Sequence, residues 1–262
     1  MGLKICVLGS GSKGNCACIW SGKTALLIDV GLSLSRIEKC LSILGVAPSS
    51  VAVLVTHTHT DHVGGLEKFV KKHGNEVFVH DSSYSALMER CNLSGAKVCR
   101  FACNEFFVGD ITVIPETLSH DVPCVGFSLV CEGKKISFAT DTGKLTDRTV
   151  TRFSDADLVV LESNHDEDML INSKIYSAFL KQRILSDRGH LSNETASDCA
   201  VKLAMSGVRQ FILAHLSQEN NLPELAFATT RDKLLKHGFV EGKDVSIEVA
   251  LQDRMSGLFE IT

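Results

Sequence analysis

The sequence predicts an α/β chain in which two sheets are sandwiched between helices. Two observations carry that prediction. The first half is rich in short β-branched and aliphatic runs joined by tight turns, and from Asp141 onward strand-like runs alternate with helical patterns. A β-rich half followed by a mixed half suits sheets whose apolar faces are covered by helices. The chain has 262 residues with no internal repeat and no Pro/Gly/Ser linker, so one domain over residues 1–262 is expected.

The elements follow in order. Residues 3–8, 17–20 and 25–29 read as strands, with a hairpin turn at Ser21-Gly22-Lys23. Leu34–Leu44 has helical spacing, with Leu34, Ile37, Leu41 and Leu44 on one face. Residues 51–56 form a β-branched strand that runs into a histidine cluster, and 63–73 read as a helix. The stretch 77–138 holds several short strands with a helix near 83–91. Residues 157–161 then read as a strand, 172–185 and Asn193–Met205 as helices, 211–214 as a strand, 224–237 as a helix and 245–249 as a last strand.

Composition narrows the function classes. Hydrophobic residues make up 44% and charged residues 22%, as in an ordinary globular protein, and aromatics at 6% leave an aliphatic core. A formal net charge of -4 argues against a surface that grips nucleic acid as a whole, so any such contact must be local. The ten cysteines are scattered without a C-x-x-C pair, and several sit in apolar runs. The opening Met-Gly-Leu-Lys-Ile-Cys reads as a strand rather than a signal peptide. No apolar run approaches the roughly 20 residues that span a bilayer. A reduced, cytoplasmic protein with no membrane partner is expected, its cysteines acting as small buried hydrophobes.

Gly9-Ser-Gly11-Ser-Lys-Gly14 matches a dinucleotide fingerprint, with Asp29 at about the right distance. That fingerprint needs a helix to open at its third glycine. Here Asn15-Cys-Ala-Cys-Ile-Trp20 runs straight into a hairpin turn, so no useful helix fits. A glycine-rich turn between strands, or a loop lining the active site, is the better reading.

The chemistry is concentrated in His57-Thr-His59-Thr-Asp61-His62. In an extended segment side chains two apart point the same way, so His57 and His59 can share one metal. Asp61 and His62 lie at the turn into the next helix and can face a second. Imidazole and carboxylate ligands suit zinc, manganese or iron. A lone histidine is usually an ordinary packed or surface residue. Three histidines and an aspartate at one strand end are different, because burying them without a metal costs desolvation.

This pattern resembles the H-x-H-x-D-H signature of the metallo-β-lactamase superfamily, and the resemblance runs through the chain. Asp29 in Leu-Ile-Asp-Val-Gly31 matches the family's early strand-end aspartate, which supports the histidine loop from behind. His120 in Leu-Ser-His-Asp121, Asp141 in Phe-Ala-Thr-Asp-Thr-Gly143 and His215 in Leu-Ala-His-Leu-Ser217 match its later ligands in the family's order. The resemblance implies a four-layer αββα sandwich. It implies one metal on His57, His59 and His120, a second on Asp61, His62 and His215, and Asp141 between them. Two such divalent ions activate a water held between them, and Asp61 orients that water.

Departures from other branches direct the substrate reading. Secreted β-lactamases carry signal peptides and lack the histidine matched by His62. Too few residues follow His215 for the helical substrate domain of glyoxalase II-like thioesterases. Asp141 and His215 are too close for a β-CASP insertion. Leu161-Glu162-Ser-Asn-His165-Asp166 and Arg188-Gly189-His190-Leu-Ser-Asn193 resemble the acid–histidine arrangement of tRNase Z and related phosphodiesterases. By that resemblance Glu162 orients His190, and His190 protonates the leaving oxygen. His165, Ser12 and Asn193 fall on the substrate side. Read without the family, Glu162 has an alternative reading as a solvated strand-end acid, His190 as a surface helix-entry histidine and His165 as a structural one.

Together with Gly-Ser-Gly-Ser-Lys-Gly-Asn15, these segments look most like the YycJ/WalJ-type proteins, compact members linked to 5′→3′ exonuclease action on DNA. The expected function is therefore a dinuclear phosphodiesterase acting on DNA or RNA. A hydrolase of a small ester, lactone, thioester or cyclic phosphodiester is the alternative, and a non-catalytic binding module is the third. His73, His80 and His237 have no partner motif. Lys68, Lys71 and Lys72 read as a solvated helix face, and Lys181, Arg183 and Arg188 as a phosphate-facing edge.

Overall fold

The strands fall in chain order as β1 (Leu3–Gly9), β2 (Cys16–Trp20), β3 (Ala25–Ile28), β4 (Val51–Val55), β5 (Val77–His80), β6 (Val98–Phe101), β7 (Phe106–Val108), β8 (Ile111–Leu118), β9 (Cys124–Cys131), β10 (Lys134–Ala139), β11 (Leu158–Glu162), β12 (Gln210–Ala214), β13 (Ser246–Val249) and β14 (Phe259–Ile261). The helices are α1 (Leu34–Leu44), α2 (Thr60–Val63), α3 (Leu66–His73), α4 (Tyr84–Arg90), α5 (Asp147–Phe153), α6 (Glu167–Asn172), α7 (Ala178–Ile184), α8 (Asn193–Met205) and α9 (Pro223–Lys236). They come from a computed structural model that describes residues 2–261. The strands build two seven-stranded sheets, in the orders β14-β1-β2-β3-β4-β5-β6 and β13-β12-β11-β10-β9-β8-β7. The α/β fold class predicted by the sequence is the one found.

The chain divides into two compact units. The first comprises Met1–Pro115, Leu129–Lys134 and Gln252–Thr262, and the second Glu116–Ser128 and Lys135–Leu251. In the first unit β1, β2 and β3 form an antiparallel meander, and β3, β4, β5 and β6 continue as parallel neighbours. β14 closes the other edge against β1. Helices α1 and α3 bury Ile37, Cys40, Leu41, Leu66, Phe69 and Val70 in a core shared with Leu27, Val53 and Val55. Each such aliphatic or aromatic side chain contributes about 1.5–3 kcal/mol of hydrophobic stabilisation. In the second unit β10, β11, β12 and β13 are parallel. Phe153, Val159, Leu161, Leu203, Phe211 and Leu234 form its core. Loops at the carboxyl ends of such parallel strands are where α/β proteins place ligands.

Leu34–Leu44 and Asn193–Met205 are helical over the predicted spans. Two other predicted helices differ from their predicted spans. The 63–73 pattern is interrupted at Gly64-Gly65, between α2 and α3. Gly65 donates its N–H to Val30 O at 2.8 Å. A Cβ at Gly65 would lie 2.1 Å from Leu32 O, so the backbone must bend past the loop after β3. The predicted 172–185 helix is shorter: α6 (Glu167–Asn172) lies almost wholly ahead of that span, and only α7 (Ala178–Ile184) lies within it. Asp166 caps the first by accepting from Met169 N at 2.8 Å, and Ser177 caps the second by accepting from Leu180 N at 3.2 Å. Helix α5 and strand β14 were not predicted.

All ten cysteines are free thiols, and all but Cys99 and Cys103 are buried. Burial raises the Cys16 thiol well above its usual range and pushes Cys199 up to about 11, so both stay protonated. No helix among the described residues is long and apolar enough to cross a membrane.

Candidate metal centre

In the first unit, β4 delivers Thr56 and His57 from its carboxyl end. His57 and His62 are fully buried, while His59 and Asp61 are partly exposed. The ring of His57 lies 4.7 Å from that of His59 and 4.1 Å from that of His62, centroid to centroid. Asp61 Oδ2 is 3.3 Å from His62 Nε2.

Asp29 sets the orientation of this cluster. It follows β3 with φ of 60°, a left-handed conformation that costs about 1–3 kcal/mol outside glycine. Its carboxylate offsets that cost by accepting from Thr56 N at 2.9 Å, Thr56 Oγ1 at 2.7 Å and His62 Nδ1 at 2.7 Å. An ionised carboxylate only accepts, so His62 carries its proton on Nδ1 and has its acceptor lone pair on Nε2. His57 Nδ1 lies 3.0 Å from Thr56 Oγ1, whose own proton goes to Asp29. His57 is therefore held in the same tautomer.

Asn15 is a participant that sequence reasoning missed. Its Nδ2 lies 3.2 Å from Asp61 Oδ2 and 3.0 Å from His62 Nε2, and its backbone N–H donates to Asp61 O at 2.8 Å. The glycine-rich turn before it opens no helix, because β2 starts at Cys16. The turn instead lays Asn15 against the histidine loop and leaves Ser12 exposed. Only the motif hinted at a role, since a single sequence does not show where a turn points.

In the second unit, Asp141, Glu162 and His215 stand at the carboxyl ends of three adjacent parallel strands, β10, β11 and β12. Asp141 and His215 both have left-handed backbones, with φ of 63° and 59°. Glu162 is fully buried. Its Oε1 accepts from His190 Nδ1 at 2.8 Å and from His215 Nδ1 at 2.9 Å. Its Oε2 accepts from Thr142 N at 2.9 Å and Leu191 N at 3.2 Å. Burial alone would raise this carboxyl, but the His190 and His215 contacts hold it down to about 2. His215 Nε2 then lies 3.5 Å from Asp141 Oδ1. The ligand atoms of Asp141, Glu162, His190 and His215 all lie within 4.8 Å of one another.

His120 belongs to the same unit, with Nε2 3.2 Å from Asp121 Oδ1 and 4.0 Å from Asp141 Oδ1. Its Nδ1 faces Gly189 O at 3.3 Å. Burial lowers the His120 imidazole, against an upward pull from Asp141. Of the basic residues before His190, Arg183 and Arg188 bond to the His120–Asp121 segment while remaining exposed, and Lys181 bonds elsewhere. Arg188 donates to His120 O at 2.9 Å, Arg183 reaches Asp121 Oδ2 at 3.0 Å, and Lys181 donates to Ile171 O at 2.7 Å.

The residues expected on the substrate side are placed differently. Ser12 is exposed, whereas His165 and Asn193 are buried. Asn193 exchanges amide hydrogen bonds of 2.9 Å with Asn221 and accepts from Ser163 Oγ at 2.7 Å, so both ends of its amide are committed inside the protein. His165 is 1% exposed and burial holds its imidazole down at about 4, so the ring is neutral. His73 pairs with Glu38, His80 with Ser82 and His237 with Lys233 O, as ordinary histidines do.

The donor set fits a divalent metal. Four imidazoles have Nδ1 against a protein oxygen: His57 on Thr56, His62 on Asp29, His120 on Gly189 and His215 on Glu162. That arrangement presents Nε2 as the ligand atom, and carboxylates supply the charge.

The model of the beta-lactamase superfamily domain matches residues 24–216. Exodeoxyribonuclease WalJ of Streptococcus pneumoniae serotype 2 (strain D39 / NCTC 7466) is 32% identical over 268 residues, covering 100% of this chain and 99% of the relative. Exodeoxyribonuclease YycJ of Bacillus anthracis is 33% identical over 251 residues, covering 94% of this chain and 95% of the relative. The crystal structure of the metallo-beta-lactamase fold protein YhfI from Bacillus subtilis superimposes with a TM-score of 0.77 at 16% identity, over 99% of this chain and 100% of that one. The His/Asp stations read from the sequence thus lie on the fold they implied, and the chain belongs to the beta-lactamase superfamily.

Proposed function

We propose that this chain is a metal-dependent phosphodiesterase that removes nucleotides from DNA, working from the 5′ end. The observation that carries the reading is the contact of Glu162 with His190. The His190 ring is 15% exposed beside a fully buried carboxylate that takes its Nδ1 proton at 2.8 Å. Its Nε2 can then give a proton to a departing alkoxide, and the Glu162 charge stabilises the imidazolium before transfer. An alkoxide leaving from a phosphodiester needs such a donor, whereas a thioester or activated lactone does not. The names of the two full-length relatives, both exodeoxyribonucleases, support the same substrate.

We assign His57, His59 and His120 to one divalent ion, and Asp61, His62 and His215 to a second, with Asp141 serving both. Zinc and manganese suit these ligands, and iron is accepted by them. When bound, the ions lower the pKa of water and neutralise charge on the attacked phosphate. Asp61 orients the attacking water, and Asp29 and Glu162 hold the imidazoles in the ligating tautomer. Residues 1–262 act as one hydrolase domain, in the cytoplasm, where free thiols such as these persist.

The test is a panel of 5′- and 3′-labelled single-stranded DNA, RNA and bis-p-nitrophenyl phosphate, run with zinc, manganese and iron. Processive loss of 5′ nucleotides from DNA supports the reading. Metal-loaded protein that cleaves neither DNA nor the small diester overturns it. His190→Ala should lower turnover with metal content intact, and loss of metal would make His190 a ligand.

A further inference from the structure

An open groove of about 750 Å³ lies within the first unit. That is in the size range of roughly 300–1,000 Å³ that receives small-molecule ligands. Its polar lining comprises Ser12, Lys13, Ser33, Ser35, Thr60, Asp61 and Lys68. Asp61 is the single acid among the lining residues. Backbone hydrogen bonds tie the segments that carry these residues together: Asn15 N to Asp61 O at 2.8 Å, Gly31 N to Asn15 O at 2.9 Å and Val30 N to His62 O at 2.9 Å. Gln252 fixes the Lys13 loop, accepting from Lys13 N at 2.8 Å and donating to Gly14 O at 2.9 Å.

The charges on this groove are unusual for the chain. The helix that carries Lys68 also carries Lys72, but Lys72 pairs with Glu38 at 2.6 Å. Lys68 and Lys13 are exposed, border the groove and make no ion pair among the described residues. Two uncompensated ammonium groups thus face one concavity in a protein of net charge -4. The first turn of α1 opens on the same groove with no acidic residue, and Ser33 makes no side-chain cap there. Its N–H groups add to the positive field that the lysines create.

We propose that this groove is a phosphate-binding track for the DNA strand, with Lys13 and Lys68 each neutralising a backbone phosphate and the serine hydroxyls donating to phosphate oxygens. This inference rests on the exonuclease reading and extends it, by giving the strand a path away from Asp61. Lysine–phosphate contacts are independent of base, so the track carries no sequence preference.

The test is fluorescence anisotropy of metal-loaded protein with a 5′-phosphorylated, phosphorothioate single-stranded oligonucleotide, titrated over a range of salt. Each phosphate contact to a single strand contributes about 0.7 to the slope of log affinity on log salt. The Lys13→Gln/Lys68→Gln double variant should show a slope shallower by about 1.4 and binding about tenfold weaker at 0.1 M salt. Its metal content and its rate on bis-p-nitrophenyl phosphate should match the native protein, and Lys13→Arg/Lys68→Arg should retain binding. Unchanged affinity and slope in the glutamine variant overturn the track and leave the exonuclease reading standing. Loss of the small-diester rate in parallel also overturns it, since the lysines would then act at the metals. If the native protein neither binds nor cleaves DNA, both readings fall.

Discussion

Glu162 Oε1 accepts from His215 Nδ1 at 2.9 Å and from His190 Nδ1 at 2.8 Å, so one buried oxygen orients two imidazoles. Glu162→Gln removes the charge. It also turns an NH2 group toward either the imidazole N–H donors or the Thr142 and Leu191 N–H donors. Turnover at saturating metal should fall by about 10²–10⁴, the range for losing an acid–base partner. Metal affinity should fall by about 10–100-fold, as when a carboxylate behind a ligating histidine is removed. Steady-state kinetics beside a metal titration separates the two effects. Full turnover at saturating metal would show that His190 needs no charged partner.

Asp29 plays the matching part in the first unit, with three donors on one carboxylate. Asp29→Asn should weaken metal binding by about 10–100-fold. It should also cost about 1–3 kcal/mol of stability in the metal-free protein, because one amide cannot accept from Thr56 and His62 as the carboxylate does. Urea unfolding of the metal-free variant checks the second figure. A variant that binds metal normally would detach Asp29 from the site.

How far the sequence could be read depended on distance along the chain. His57, Asp141 and His215 were legible because each follows an apolar strand-like run, and strand ends are where side chains leave the core, while Asp61 and His62 were legible from their place in the same short motif as His57. Helices α1 and α8 were legible because their apolar spacing agrees with their caps. The break at Gly65 was hidden, since it answers to Leu32 O in another segment. The start of α7 was written in its cap Ser177, which the predicted span from residue 172 overran, and α6 ahead of that span was missed. Asn15 meets Asp61 across 46 residues, and no local pattern records that contact. Lys68 shared helical spacing with Lys72, yet only Lys72 has an acid beside it in the fold.

His165 makes acid stability a testable property. Burial holds its imidazole down at about 4, whereas in an unfolded chain histidine titrates near 6.5. Between those values the unfolded chain binds a proton that the folded chain does not, so stability falls as pH drops through that window. The contribution is present in full above about pH 6.5, and at most about 3 kcal/mol of it is lost by pH 4. His165→Leu removes the titrating group, and neither ring nitrogen has a hydrogen-bond partner among the described residues, so no such bond is lost with it. Denaturant unfolding of metal-free protein at pH 7, 6 and 5 should therefore show a flatter profile for the variant. Parallel losses in both proteins would assign the acid sensitivity to other groups.

Gly31 is the residue whose replacement should do most damage for its size. A Cβ there would lie 1.7 Å from Asp61 O and 2.7 Å from Asn15 N, and both are backbone atoms that no rotamer change can move. Those two residues are themselves joined by the Asn15 N to Asp61 O bond of 2.8 Å, so relief at one disturbs the other. Gly31→Ala should cost about 3 kcal/mol or more, at the upper end for overpacking. It should also move Asp61, and with it the proposed water-orienting carboxylate, so turnover should fall further than stability alone explains. The check is turnover measured well below the melting temperature, with metal content determined on the same sample. A variant that is less stable yet turns over normally per bound metal would show that the Asp61 backbone yields without moving its carboxylate, and would overturn this predicted loss of turnover.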